Sequence, residues 1–181
     1  EFQGRVVMVT GGGGAIGEAI AHAFRRQGAE IVIIDRDADA LSHSAGRIGG
    51  GVVAIEADLT QEGVAEQVMQ NTVDAFGGLD ILVSNAGYAP HGAMVDIDEA
   101  LLRDSFELNF FAHFRMARAA HAVFAGQGLG GQILFNVSKQ AVNPGRNFGA
   151  YGLPKATLMF LLRQLSLELG GQGVRVNGVN A

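Results

Sequence analysis

The sequence predicts a doubly wound α/β domain: a parallel sheet with strand order 3-2-1-4-5-6 and helices on both faces. Three observations carry that expectation. The stretch Val6 to Gly17, V-V-M-V-T-G-G-G-G-A-I-G, reads as a buried strand, a glycine turn and the start of a helix. A second apolar strand, Val32 to Ile34, ends on the acidic Asp35. Beyond it, short apolar runs alternate with amphipathic stretches as far as Val174 to Val179, the pattern of repeated βαβ units.

The glycine turn has the form of a phosphate cradle. A loop that turns this sharply needs backbone angles closed to residues with a Cβ, and a pyrophosphate must come within hydrogen-bonding distance of the main chain. The helix from Ala15 to Gln27 would aim its free N–H groups and positive dipole end at those phosphates. Taken alone, the turn has a second, less favoured reading, a tight strand-to-helix connection with no ligand. Asp35 adds to the first reading, because a βαβ dinucleotide fold places an acid there to bind the adenosine ribose hydroxyls. A carboxylate repels the extra phosphate of NADP, and no Lys or Arg lies within the glycine loop to offset it, so the expected cofactor is NAD. Arg36, next in sequence, leaves a dual preference open.

At 181 residues the chain fits one domain, residues 1–181, large enough for a substantial core. The formal net charge of −5, without a basic run, argues against nucleic acid or an anionic membrane as partner. No apolar stretch approaches the roughly 20 residues of a membrane span. With no leader-like start and no cysteine, the expected compartment is the cytoplasm. The 27 glycines sit at strand and helix ends and form no repeat, so they read as turns.

In chain order, Asp37 to Ile48 is a short helix ended by Gly49-Gly50-Gly51, a run with no helix after it to hold an anion. Val52 to Glu56 is the third strand. Asp58, followed by Leu59, either accepts from the adenine amino group or helps to start the helix Gln61 to Phe76. Leu79 to Val83, the fourth strand, runs into Ser84-Asn85-Ala86-Gly87, small residues suited to a close cofactor, with Asn85 able to tie neighbouring strand ends. After a loop that Asp96 or Asp98 closes as a helix cap, Glu99 to Ala125 is one long helix. It is apolar on more than one side, which suggests a subunit interface. Asn109 is the polar residue among its phenylalanines; its plain reading is a hydrogen bond to a nearby carbonyl. Ile133 to Val137, the fifth strand, delivers Ser138 at the sheet edge where ligands bind in open parallel sheets. The loop Lys139 to Gly149 leads into a helix with Tyr151 and Lys155, and Val174 to Val179 is the sixth strand. Lys139 and Arg146 are weaker candidates for an anionic substrate, and His22, His43, His91, His113 and His121 lack metal-ligand spacing.

Tyr151 and Lys155 are a helical turn apart on one face. A phenol titrating near pH 10 is a poor base at neutrality, and a neighbouring ammonium favours its phenolate. Ser138 could donate to the same substrate oxygen as charge develops on it.

Together, the T-G-x-x-x-A-x-G of Thr10 to Gly17, Asp35, Asp58, the S-N-A-G of Ser84 to Gly87, Asn109, Ser138, the Y-x-x-x-K of Tyr151 to Lys155 and the R-V-N of Arg175 to Asn177 resemble the short-chain dehydrogenase/reductase family. The resemblance implies a Rossmann-type fold and hydride transfer between NAD and a carbinol or carbonyl carbon. It makes Tyr151 the general acid/base, with Lys155 tuning it and holding the nicotinamide ribose. Ser138 would orient the substrate oxygen, and Asn109 would hold a water in a proton relay. Gly11, Gly13, Gly14, Ala15, Ile16, Gly17, Asp35, Arg36, Asp58, Leu59, Asn85, Ala86 and Gly87, with Tyr151 and Lys155, would bind the cofactor. A homodimer or homotetramer is implied as well.

The segment Asn136 to Lys155, followed by Arg175 to Ala181, is similar to the dehydrogenase part of bifunctional aldolase/short-chain dehydrogenase proteins, a likeness best over the catalytic third of the chain. That likeness implies a small hydroxyaldehyde or sugar-derived alcohol as substrate and an aldolase domain in the same chain. Four departures stand out: Ala15 stands where many members have glycine; Pro154 lies between Tyr151 and Lys155; the family's seventh strand and substrate-covering segment are missing; and Asn180-Ala181 replaces the usual Pro-Gly. A silent dinucleotide-binding or assembly module, or an epimerase or dehydratase that retains NAD, stays open as an alternative.

Overall fold

The computed structural model describes residues 1–180. Ala181, half of the pair in the usual Pro-Gly position, lies outside them. Strands β1 (Val6–Thr10), β2 (Glu30–Asp35), β3 (Val52–Glu56), β4 (Ile81–Ser84), β5 (Gly131–Asn136) and β6 (Val174–Val179) form one parallel sheet. The order is β3-β2-β1-β4-β5-β6, as the sequence predicts. Helices α1 (Ala15–Arg26), α2 (Ala38–Ile48), α3 (Val64–Phe76), α4 (Glu99–Phe106), α5 (His113–Gln127) and α6 (Gly149–Leu169) make the crossovers that parallel pairing requires.

Side chains alternate across each strand, which divides the core into two layers. Val7, Val9, Ile31 and Ile33 pack with Ala21, Leu41 and Ile48 beneath α1 and α2. Met8, Val32, Ile34 and Leu82 pack with Val68, Met116, Phe124 and Leu158 beneath α3, α5 and α6. Burial on both faces is why β1 and β2 read as unbroken apolar runs. No helix among the described residues is long and apolar enough to cross a membrane.

The bounds of several elements differ from the sequence expectation, each for a physical reason. Strands β2 and β5 begin at Glu30 and Gly131, because the ladder partners Val6 and Val174 pair with those less apolar residues. Helix α3 starts at Val64 because Gly63 sits in the left-handed region, φ 77°. Residues Asp58 to Gln61 form a turn instead, closed by the Asp58 side chain. Asp98 caps α4 by accepting from the Ala100 amide, 2.8 Å. The long helix expected over Glu99 to Ala125 is α4 and α5 joined by a widened π turn, Glu107–Ala112. That turn rotates the faces: Asn109 is fully buried while Phe111 is 41% exposed, the reverse of their polarity. π turns recur at functional sites, and this one faces the cleft described next.

Candidate active site

The cleft lies at the carboxyl ends of β1 and β4, where the strand order reverses. Its volume is about 520 Å³, within the range of small-molecule sites. Gly11 has φ 67°, and a Cβ there would meet the Ala86 backbone at 2.9 Å. A Cβ on Gly17 would lie 2.1 Å from the Gly11 carbonyl oxygen, so α1 rests directly on the turn. No side chain caps α1 at Gly14, which leaves first-turn amides for a ligand. Gly11, Gly14, Ala15, Ile16 and Gly17 all line the cleft, and Ile16 is 56% exposed. Gly13 serves the turn in another way: its amide donates to Asp35 Oδ2, 3.0 Å, and it is not among the lining residues.

Asp35, Arg36, Asp58, Leu59, Asn85, Ala86 and Gly87 line the same cleft. The other Asp35 oxygen accepts from the Asp37 amide, 3.2 Å. Asp58 accepts from Thr60 and Gln61 and does not cap α3. Burial alone would raise the Asp58 carboxyl; the Thr60 and Gln61 hydrogen bonds and the Arg36 charge outweigh it and hold the group below its ordinary value. The residues present therefore fit a dinucleotide: a backbone cradle in which Gly11 and Gly17 leave no room for a Cβ, and carboxylates at the other end for hydroxyl and amino donors.

The strand ends that frame the cleft are stitched by polar side chains. Thr10 Oγ1 accepts from the amides of Asn85 and Ala86 at 2.8 and 3.0 Å. Asn85 Nδ2 donates to the Thr10 carbonyl, 3.0 Å, and Asn136 Nδ2 donates to Asn85 Oδ1, 2.8 Å. Asn85 thus ties its neighbours as the sequence suggests, and Asn136 is a partner that sequence reasoning did not single out.

Tyr151 and Lys155 line the cleft from α6, with the Lys155 nitrogen 5.8 Å from the centre of the Tyr151 ring. Lys155 is 2% exposed and donates to the Asn136 carbonyl, 2.8 Å. Burial lowers its ammonium to about 8. Beneath it lies His113, also buried, with Nε2 at 3.5 Å from the lysine nitrogen and Nδ1 at 2.7 Å from Ser84 Oγ. Sequence reasoning weighed His113 only as a metal ligand; a lone buried histidine gives no other signal until the fold sets it under a lysine. Ser138 is buried just beyond β5 and begins a short 3-10 turn, Lys139–Ala141, where its Oγ accepts from the Gln140 amide, 3.2 Å. That turn sits on the start of α6: a Cβ on Gly152 would meet the Gln140 carbonyl at 3.1 Å. Lys139 and Arg146 are exposed in the loop.

Asn109 does not line the cleft. Its Nδ2 donates to the Tyr88 carbonyl and Ser105 Oγ at 2.9 and 3.1 Å, and its Oδ1 accepts from the Tyr88 amide, 3.2 Å. The side chain therefore braces the segment that follows β4. Ser105 continues the network by donating to the Ala150 carbonyl, 2.7 Å. In a regular helix that carbonyl would accept from residue 154, but Pro154 has no N–H. The Ser105 hydroxyl fills the gap, so α6 runs through Pro154 from Gly149 to Leu169 with Tyr151 and Lys155 facing one cleft.

The profile of the family described as short chain dehydrogenase matches residues 5–181. The chain is 33% identical over 187 residues to "Uncharacterized oxidoreductase YuxG" of Bacillus subtilis (strain 168), covering 99% of this chain and 27% of that protein. It is 34% identical over 181 residues to a 7alpha-hydroxysteroid dehydrogenase of Escherichia coli (strain K12), covering 98% of this chain and 70% of that one. Among solved structures, a 3-ketoacyl-(acyl-carrier-protein) reductase from Brucella melitensis complexed with NADH superposes with a TM-score of 0.95 at 28% identity, over 99% of this chain and 75% of that one. A short-chain type dehydrogenase/reductase from Mycobacterium marinum gives 0.95 at 29%, over 99% and 75%. The chain belongs to the short-chain dehydrogenase family of oxidoreductases.

Proposed function

We propose that the protein is an NAD-dependent dehydrogenase acting on the CH–OH or C=O group of a small alcohol, hydroxyaldehyde or sugar-derived substrate. The observation that carries this reading is one cleft lined by the glycine turn, Asp35, Tyr151 and Lys155. NAD, when bound, supplies the hydride acceptor. The turn and the start of α1 would hold its phosphates, Asp35 its ribose hydroxyls, and Lys155 the second ribose. Asp35 favours NAD over NADP by charge, with the exposed Arg36 beside it as the residue that would admit some NADP.

Tyr151 acts as general base in its phenolate form, which the Lys155 ammonium on the same helix face favours; it takes the substrate hydroxyl proton and ends as a neutral phenol. Ser138 holds the substrate oxygen and orients it. Asn109 acts by bracing the cleft wall and, through Ser105, the start of α6. The test is Tyr151→Phe, assayed by NADH fluorescence with a panel of small hydroxyaldehydes and polyols: turnover should vanish while NADH binding survives. Undiminished turnover in that variant would refute the assignment, and binding without oxidation in the wild type would favour a silent module.

Two further parts belong to the same reading. Phe111, Phe160 and Leu167, exposed by 41%, 67% and 81% on the π turn and α6, support a homodimer or homotetramer packed through these helices. An aldolase domain in a longer chain rests on the likeness of Asn136 to Lys155, with the match that spans 27% of a longer oxidoreductase on its side. The composition supports a cytoplasmic setting.

A further inference from the structure

We infer that His113 is a positioning residue for Lys155, a neutral imidazole clamped by Ser84 that accepts a hydrogen bond from the lysine nitrogen and holds it toward the cleft. The inference rests on the proposed role of Lys155. Two acceptors flank that nitrogen and its third side is open. The Asn136 carbonyl accepts at 2.8 Å, His113 Nε2 stands at 3.5 Å, at the outer edge of hydrogen-bond length, and the remaining side opens to the cleft that Lys155 lines. An ammonium has donors and no acceptor, so the Nε2 that faces it must present a lone pair. The ring proton then sits on Nδ1, directed at Ser84 Oγ, 2.7 Å away. A charged Lys155 selects this tautomer; the Ser84 hydroxyl, which can donate or accept, serves either one.

The surroundings favour the neutral ring. His113 is 2% exposed and packs edge to face with Phe135, centroids 6.1 Å apart. Burial first, and the Lys155 charge second, hold its imidazole well below the ordinary histidine range. The groups facing the pair are Tyr151 from α6, the Ser84 hydroxyl from β4, the Ala86 backbone after it, and the Asn136 carbonyl from β5. His113 opens α5 directly after the π turn, so the same distortion that buries Asn109 carries this ring under the lysine.

Two substitutions separate clamp from contact. An asparagine amide reproduces Nδ1 and keeps a partner for Ser84, whereas a glutamine amide reaches the Nε2 position and can accept from Lys155. Lys155 reactivity is titrated by competitive acetic anhydride labelling of the full chain without cofactor, and the pH profile of kcat is recorded in parallel. In His113→Asn the lysine loses an acceptor for its charged form, so its midpoint should fall by at least about half a pH unit. Its kcat should fall about tenfold, with the acid limb displaced to higher pH. His113→Gln should restore both to within about twofold and a few tenths of a unit. An unchanged midpoint in His113→Asn, or equal losses in both variants, overturns the inference. Because labelling needs no turnover, a wild type that fails to oxidise any substrate would sink the functional proposal while leaving this test intact.

Discussion

Removing the Ser105 hydroxyl should cost stability in a way that depends on Pro154. Ser105, Asn109, Ala150 and Pro154 are all buried, so no bulk water replaces a lost partner. In Ser105→Ala the Ala150 carbonyl keeps neither its helical donor nor the hydroxyl, and Asn109 Nδ2 loses the second of its two acceptors. An unsatisfied buried polar group costs about 1 to 3 kcal/mol, so a loss of about 2 kcal/mol is expected from the carbonyl alone. For a domain of this size that is roughly 4 to 8 °C in Tm. Pro154→Ala returns an N–H to the position that should donate to Ala150. In that background Ser105→Ala should cost at least about 1 kcal/mol less, a coupling well outside the additivity of independent sites. Urea unfolding of the four proteins of the cycle gives the coupling directly. If Ser105→Ala costs the same with and without Pro154, to within about 0.3 kcal/mol, the hydroxyl is not standing in for the missing helical donor.

Two further perturbations test other parts of the structure. Gly17→Ala puts a methyl where 2.1 Å separates it from the Gly11 carbonyl oxygen, so the turn or α1 must shift. A loss of at least about 3 kcal/mol and of NADH binding is expected by denaturation and fluorescence titration; a native-like variant that binds NADH would show the packing to be loose. Burial lowers the Lys155 ammonium to about 8 in the folded state, against an ordinary value of 10.5. The unfolded chain therefore binds more protons between those values, so stability should rise with pH from about 8 to 10.5 relative to Lys155→Met. The full difference is on the order of 3 kcal/mol, present as a cost below pH 8. Equal pH slopes in the wild type and the variant would show that Lys155 is solvated in the native state.

Much of the fold was legible because its signals are local and repeated. Unbroken apolar strands, each followed by a turn and an amphipathic helix, point to a parallel sheet, and β3-β2-β1-β4-β5-β6 is the strand order of the Rossmann-type fold that the family resemblance implies. The cleft residues Gly11, Gly17, Asp35 and Tyr151 were legible because they lie at strand ends or on one helix face. What stayed hidden depends on distances that sequence does not encode. The π turn is invisible to a periodicity argument, since one widened turn inside Glu99 to Ala125 leaves the composition unchanged while re-aiming Asn109 and His113. Pro154 was visible as an anomaly, but its remedy, Ser105, is 45 residues from the carbonyl it serves. Gly13 gave the same glycine signal as its neighbours, yet its amide is turned to Asp35.

That last contact bears on how cofactor choice could be altered. The acid that would discriminate between the two dinucleotides also anchors the main chain of the loop that would hold their diphosphate, and its second oxygen steadies the backbone ahead of α2. Exchanging Asp35 for a neutral or basic residue would therefore change selectivity and slacken the anion grip together. A variant designed to accept NADP has to supply a new acceptor for the Gly13 amide before it can profit from the removed charge.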